Sequence, residues 1–321
     1  MNDVDRVPVS IVNACLRDGR GGSPTAVLGE SAAGPPRRAS PTGASPPAAS
    51  LTDAERSRVP ARFGTSHAVF VTRRDSRSAL GAPKQCQSLI GADESTVDVR
   101  FFTTEGELPA CGHGTVAAIA FLAEQCGGAE HRFRLRASGR SFAGHAVREG
   151  DVIHAAFDPG PVTLRDPTPV ETDRVIAALG IASDLLAPGP CVASLGRTRM
   201  LIPITTPEAV AALAPDLDRL RAACDQLGLL GCYVHSAPTS AGRVVARMFA
   251  PSIGVPEDIA NANSTACLAA HLADRGVTDL TVEMGDALGS PATITASARE
   301  SAGRLELLVG GAAIITRTGT L

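Results

Sequence analysis

The chain has 321 residues, 44% of them hydrophobic and 20% charged, with a formal net charge of −3 at pH 7. That length suits one large or two medium domains with ample material for a core. The near-neutral balance and the lack of a basic block argue against a nucleic acid or an anionic membrane surface as partner, and no run approaches the roughly 20 apolar residues of a membrane span. The first residues, Met1 to Arg6, lack the basic-then-apolar pattern of a secretion signal, so the cytoplasm is the expected compartment. Eight cysteines are scattered without any CxxC pair. Most sit in apolar contexts, as buried reduced thiols do, which argues against a structural zinc site.

In chain order, Val7 to Asn13 alternates as a strand, and a glycine-rich turn leads into Thr25 to Leu28. Residues 29–50 are Pro, Ala, Ser, Gly and Arg with almost nothing to bury, and are expected to form a loose insertion. Thr52 opens a helix as N-cap, with Glu55 at the capping-box position. Ser66 to Val71 and Val97 to Thr103 read as strands. Cys111-Gly-His-Gly-Thr115 is a glycine-rich loop opening a helix of small apolar residues. Arg132 to Ala137, Ser141 to Val147 and Val152 to Phe157 follow as strands with tight turns. Asp158-Pro-Gly-Pro161 and Asp166-Pro-Thr-Pro169 mark a domain boundary, which divides the chain into lobes at 1–162 and 163–303. In the second lobe, Glu171 to Leu179 is helical, and Pro207 to Leu227 is helical with a break near Pro215. Met200 to Ile204, Gly231 to Ser236 and Arg243 to Phe249 are strands. Residues 304–321 read as a closing hairpin about Gly310-Gly311, able to pack back on the first lobe.

One internal echo organises the rest. Arg247-Met-Phe-Ala-Pro251 repeats the pattern of Arg100-Phe-Phe-Thr-Thr104, and Asn261 to Ala273 repeats Cys111 to Ala123 about 150 residues later. If the halves face one another, two helix N-termini converge on one cleft, where unpaired N–H groups favour a substrate carboxylate.

These residues resemble the PhzF-like branch of the diaminopimelate epimerase fold, which also includes the proline racemases. Gly22-Ser-Pro-Thr-Ala-Val27, Ser66-His-Ala-Val-Phe-Val71, Arg100 to Thr115, Arg247 to Asp258 and Val309-Gly310-Gly311 carry the likeness. The resemblance implies an α/β (α+β) fold of two pseudo-symmetric lobes, each a mixed sheet curled around a central helix. It also implies a homodimer, and proton transfer beside a carbonyl or carboxylate without cofactor or metal. Racemases of this fold use two cysteines, and PhzF-like isomerases use a glutamate.

Three positions depart from those patterns. Cys111 stands where the first catalytic thiol would be, Asn261 where the second would be, and His67 where the glutamate would be. Asn261 cannot accept a proton at ordinary pH, so symmetric thiol–thiol racemisation is disfavoured. The expected chemistry is a one-sided proton shuttle on a small unsaturated carboxylic acid of secondary metabolism, possessing an antibiotic-pathway flavour through the resemblance. His67 is the main base, assisted by Cys111, His113 and Asp258. Ser66, Gly112, Gly114, Thr115, Asn261, Asn263 and Ser264 are expected to bind the substrate. The alternatives are an amino-acid epimerase pairing Cys111 with a non-cysteine partner, and a ligand-binding homologue without catalysis.

Overall fold

The computed structural model describes residues 7–31, 51–73 and 96–321. In the first half, β1 (Pro8–Leu16), β2 (Ser23–Ser31), helix α1 (Asp53–Phe63), β3 (His67–Arg73), β4 (Thr96–Thr103) and the short β5 (Gly106–Leu108) lead into helix α2 (Gly112–Cys126). Then come β6 (Glu130–Ala137), β7 (Arg140–Glu149) and β8 (Val152–Phe157). The second half opens with β9 (Thr163–Arg165), α3 (Pro169–Leu179), β10 (Cys191–Leu195), β11 (Arg197–Ile204), α4 (Pro207–Ala211) and α5 (Leu217–Leu227). It continues with β12 (Cys232–Ser236), β13 (Arg243–Ala250), β14 (Val255–Asp258), α6 (Ala262–Ala273), β15 (Asp279–Met284), β16 (Ala292–Ser301) and β17 (Arg304–Thr320).

Helix α2 explains the architecture of its half. Every residue from Gly112 to Ala123 is buried. A helix apolar on all sides is stable only inside a shell. The sheet supplies one by closing on itself: β1 pairs with β2, β2 with β3, β3 with β4, β4 with β6, and so on through β7, β8 and β17 back to β1. The second half repeats the pairing pattern strand for strand. Antiparallel β10–β11, parallel β11–β12, antiparallel β12–β13, parallel β13–β15 and antiparallel β15–β16–β17 match β1 through β8. Helix α6 lies against β10, β11, β15, β16 and β17 as the counterpart of α2. The fold is therefore α+β, with a large mixed sheet wrapped about two helices. Outside this core, α1 carries the anticipated capping box at Thr52 and Glu55 and ends at the left-handed Gly64.

Several expectations need correction. Residues 304–321 form no hairpin at Gly310-Gly311; β17 runs unbroken from Arg304 to Thr320. The two glycines serve close packing instead of a turn. A Cβ on Gly310 would lie 2.3 Å from the Ala155 carbonyl oxygen, and one on Gly311 would lie 3.1 Å from Cys15. The true hairpin turn is at Ala302-Gly303, between β16 and β17. The supposed insertion also begins later, because Gly29 to Ser31 continue β2 beside Val71 to Arg73; residues 32–50 and the polar connection at 74–91 lie outside the described residues. Six of the described cysteines are free and buried, as expected, but Cys126 is disulfide-bonded.

The two helix starts touch. A Cβ on Gly112 would sit 2.7 Å from the Ala262 Cβ and 2.8 Å from the Asn263 backbone nitrogen, both at the start of α6. Only glycine allows this approach. Gly112→Ala should therefore push the helix starts apart and lower the unfolding free energy by about 1–3 kcal/mol. A denaturation midpoint equal to wild type would contradict this account of the contact.

Candidate active site

The repeated strand–turn–strand–helix units place matching groups on both sides of the junction. On β4 and β5, Arg100 donates from Nε to Glu107 Oε1 at 2.8 Å and its guanidinium covers the Phe102 ring at 5.0 Å. On β13 and β14, Arg247 donates from Nε to Glu257 Oε1 at 2.9 Å and covers the Phe249 ring at 4.8 Å. These fork-shaped pairs brace the turns that feed the two helices. The first helical turns match as well, since Thr115 Oγ1 donates to the Cys111 carbonyl at 2.8 Å and Thr265 Oγ1 to the Asn261 carbonyl at 3.1 Å.

The N-caps differ. Asn261 Oδ1 accepts from the Ser264 N–H at 2.9 Å, so its side chain closes the start of α6. Cys111 caps α2 in position only and makes no side-chain cap bond. The first N–H groups of α2 therefore keep their capacity for an anion, while α6 has spent part of its own.

Between the helix starts lies a cleft of about 50 Å³ lined by His67, Cys111, His113, Asp258 and Asn261, among others. The His67 and His113 rings meet edge to face with centroids 4.4 Å apart. Cys111 Sγ is 3.6 Å from His113 Nε2. His113 Nδ1 donates to the Ala260 carbonyl at 2.8 Å, with Asp258 Oδ1 beyond it at 3.8 Å. Asn261 Nδ2 donates to Asp258 Oδ2 at 2.9 Å, and His67 Nδ1 lies 2.9 Å from Ser66 Oγ.

These surroundings drive the two histidines in opposite directions. Burial, together with the charge of His113, holds the His67 imidazole well below its ordinary value, so it stays neutral. Burial also acts against a charged His113, but the interactions with Cys111 and Asp258 and the ring's hydrogen bond to the Ala260 carbonyl outweigh it and lift His113 to about 10. Burial raises the Asp258 carboxyl, an effect only partly offset by His113 and Asn261. A neutral base and a cationic acid thus stand in ring contact.

The structure brings His67, Cys111, His113, Asp258, Gly112, Asn261 and Asn263 together on the cleft wall. It does not place Ser66, Gly114, Thr115 or Ser264 there. Ser66 holds the His67 ring, Gly114 makes room for Cys111 Sγ, and the Thr115 hydroxyl is spent on its own helix. Ser264 is fully buried with its N–H on Asn261 and its hydroxyl on Arg199. Asn261 reaches the cleft, yet both ends of its amide are engaged within the protein.

Arg199 escaped the sequence reading. It lines the cleft and is 1% exposed, and it donates to Ser264 Oγ and to the Leu195 and Arg197 carbonyls. Its Nε–H has no partner. Among the described residues no carboxylate pairs with it, and a buried guanidinium without a counter-charge is costly. The available signal was a charged residue set immediately before the apolar run Met200 to Ile204.

Comparison with known proteins agrees with the fold. Among solved structures, a predicted epimerase from Pseudomonas aeruginosa superposes with a TM-score of 0.75 over 98% of this chain and 99% of its own, at 23% identity. A proline racemase-like protein from Agrobacterium radiobacter aligns with a TM-score of 0.55 at 10% identity, over 98% of this chain and 92% of its own. In sequence, the uncharacterized isomerase YddE of Escherichia coli is 31% identical over 196 residues, 59% of this chain and 65% of that protein. The match thus spans under two thirds of that relative. An uncharacterized isomerase of Deinococcus radiodurans is 31% identical over 69% of this chain and 75% of its own. The trans-2,3-dihydro-3-hydroxyanthranilate isomerase of Pseudomonas chlororaphis is 29% identical over 70% of this chain and 78% of its own. The family model described as phenazine biosynthesis-like protein matches residues 35–319, nearly the whole chain, which therefore belongs to the PhzC-PhzF family.

Proposed function

We propose that the protein is an isomerase that moves a proton, and with it a double bond, within a small unsaturated carboxylic acid. The observation that carries this reading is the neutral, buried His67 in ring contact with the cationic His113, inside a cleft that also holds Arg199. The substrate carboxylate is received by the open start of α2 and by the Arg199 guanidinium, which gains the counter-charge it lacks. His67 takes a proton from the carbon next to the conjugated system. Electron density then moves onto the carboxylate-bearing end, where the His113 cation and the helix start stabilise it. The proton returns from the same face at the far end of the conjugated unit. Asp258 acts as a positioning residue through His113 and Asn261.

The names of several relatives, which include isomerases, support this class of reaction. The epimerase alternative that pairs Cys111 with His67 is weaker. A two-base epimerase needs its groups on opposite faces of one carbon, roughly 6 Å apart if each is within hydrogen-bond reach. The reactive atoms of His67, Cys111 and His113 all lie within 4.8 Å of one another.

The direct test incubates the protein in D2O with trans-2,3-dihydro-3-hydroxyanthranilate and a panel of small conjugated carboxylic acids. Product formation is followed by chromatography and deuterium uptake by mass spectrometry. His67→Gln should abolish turnover; the same rate and label in that variant, or ligand binding without any turnover in wild type, would reject the reading. Arg199→Met should raise KM roughly tenfold to a hundredfold with a smaller change in kcat, and an unchanged KM would remove Arg199 from the site.

The pH dependence is fixed in sign. His67 must be neutral to act, and its depressed pKa keeps it so below pH 6.5. His113 must be cationic, and it stays so until the pH approaches about 10. The kcat/KM profile should therefore stay flat as the pH falls through 6.5, with its acid limb displaced to lower pH, and decline on the alkaline side as His113 loses its proton. A half-maximal point near 6.5 would show a base of ordinary imidazole character.

A further inference from the structure

We infer that His67, Cys111 and His113 also form a binding site for a thiophilic divalent cation of the zinc or cobalt type. This contradicts the expectation of a chain without a metal site. The three side chains are buried, at 3%, 6% and 1% exposure, and their candidate ligand atoms lie within 4.8 Å of one another. The separation of Cys111 Sγ from His113 Nε2 is 3.6 Å. In a zinc tetrahedron, with Zn–S near 2.3 Å and Zn–N near 2.0–2.1 Å, the sulfur–nitrogen edge is roughly 3.6 Å. Two ligands of the three are thus already spaced for the ion, and the third, from His67, lies within 4.8 Å of both.

The outer contacts also suit a metal. His113 donates its far ring N–H to the Ala260 carbonyl at 2.8 Å, with the Asp258 carboxylate at 3.8 Å behind it. A metal-bound histidine is held in this way, by a carbonyl or carboxylate on its other nitrogen. His67 likewise has Nδ1 beside Ser66 Oγ at 2.9 Å, which leaves Nε2 for coordination. On binding, the ion displaces the proton on His113 Nε2 and the Cys111 thiol proton to solvent, and two imidazoles with a thiolate select zinc or cobalt over magnesium or calcium, which prefer oxygen. Three protein ligands leave the fourth corner open to the cleft, for water or a carboxylate.

One consequence rests on the proposed function. The ion occupies the lone pair with which His67 removes a proton, so the loaded form is the inactive one and zinc acts as a reversible inhibitor. Binding itself does not depend on that reading and is measured separately.

The test titrates cobalt(II) into metal-free, full-length protein. An intense near-ultraviolet thiolate-to-cobalt band with visible bands of tetrahedral strength is expected, together with a higher thermal unfolding midpoint. Cys111→Ser should lose the charge-transfer band, and His67→Gln should weaken binding at least tenfold. Cys224→Ser should keep both, because Cys224 and Cys232 form a separate thiol pair 4.0 Å apart. Wild type without the band, or a band that persists in Cys111→Ser and vanishes in Cys224→Ser, overturns the proposal. If cobalt binds as expected but activity is unaffected, the inhibitory consequence falls and the site stands.

Discussion

The packing of two helix starts against each other, with no side chain between them at Gly112, is the constraint on which the site depends. An approach of 2.7 Å between a hypothetical Cβ and the Ala262 side chain leaves no room for any residue but glycine. That contact sets the distance between the halves at the cleft. It also aligns two sets of partial positive charge on one small volume. The paired Arg–Glu forks behind each helix hold the turns that make the approach possible.

Duplication made the framework symmetric, and the chemistry depends on where the symmetry fails. The cap of α6 is an amide that satisfies its own helix and steadies Asp258. The cap of α2 is a thiol that does neither job and instead faces His113. One helix start is thus structural and the other is available to a ligand. Neighbours then separate two equally buried imidazoles, with His67 kept neutral by burial and by the charge of His113, and His113 kept charged by Cys111, Asp258 and its hydrogen bonds.

Much of this was legible in the sequence. The echo between Arg100 to Ala123 and Arg247 to Ala273 foretold two equivalent units, and the capping box at Thr52 was read from residue types alone. The reading failed where a residue serves two purposes. Gly310 and Gly311 carry the same letters as a turn, but here they let β17 pass between β8 and β1. Ser264 looked like a donor at a helix start, though its N–H was already promised to Asn261 three residues earlier. Arg199 was missed because only the tertiary structure reveals that this arginine near the start of β11 is buried without a counter-charge.

The unbroken course of β17 has a consequence for how the chain folds. Its last residues pair with the first described strand, in register from Pro8 with Thr320 to Leu16 with Ala312, and its middle pairs with β8. The shell around α2 therefore cannot close until β17 is available to pair with both β1 and β8. An apolar helix waits through that interval with one wall of its enclosure missing. Pairings of such long sequence separation slow folding and prolong the exposure of sticky surface. The arrival of β17, more than any local step, sets the moment at which the shell around α2 can first close.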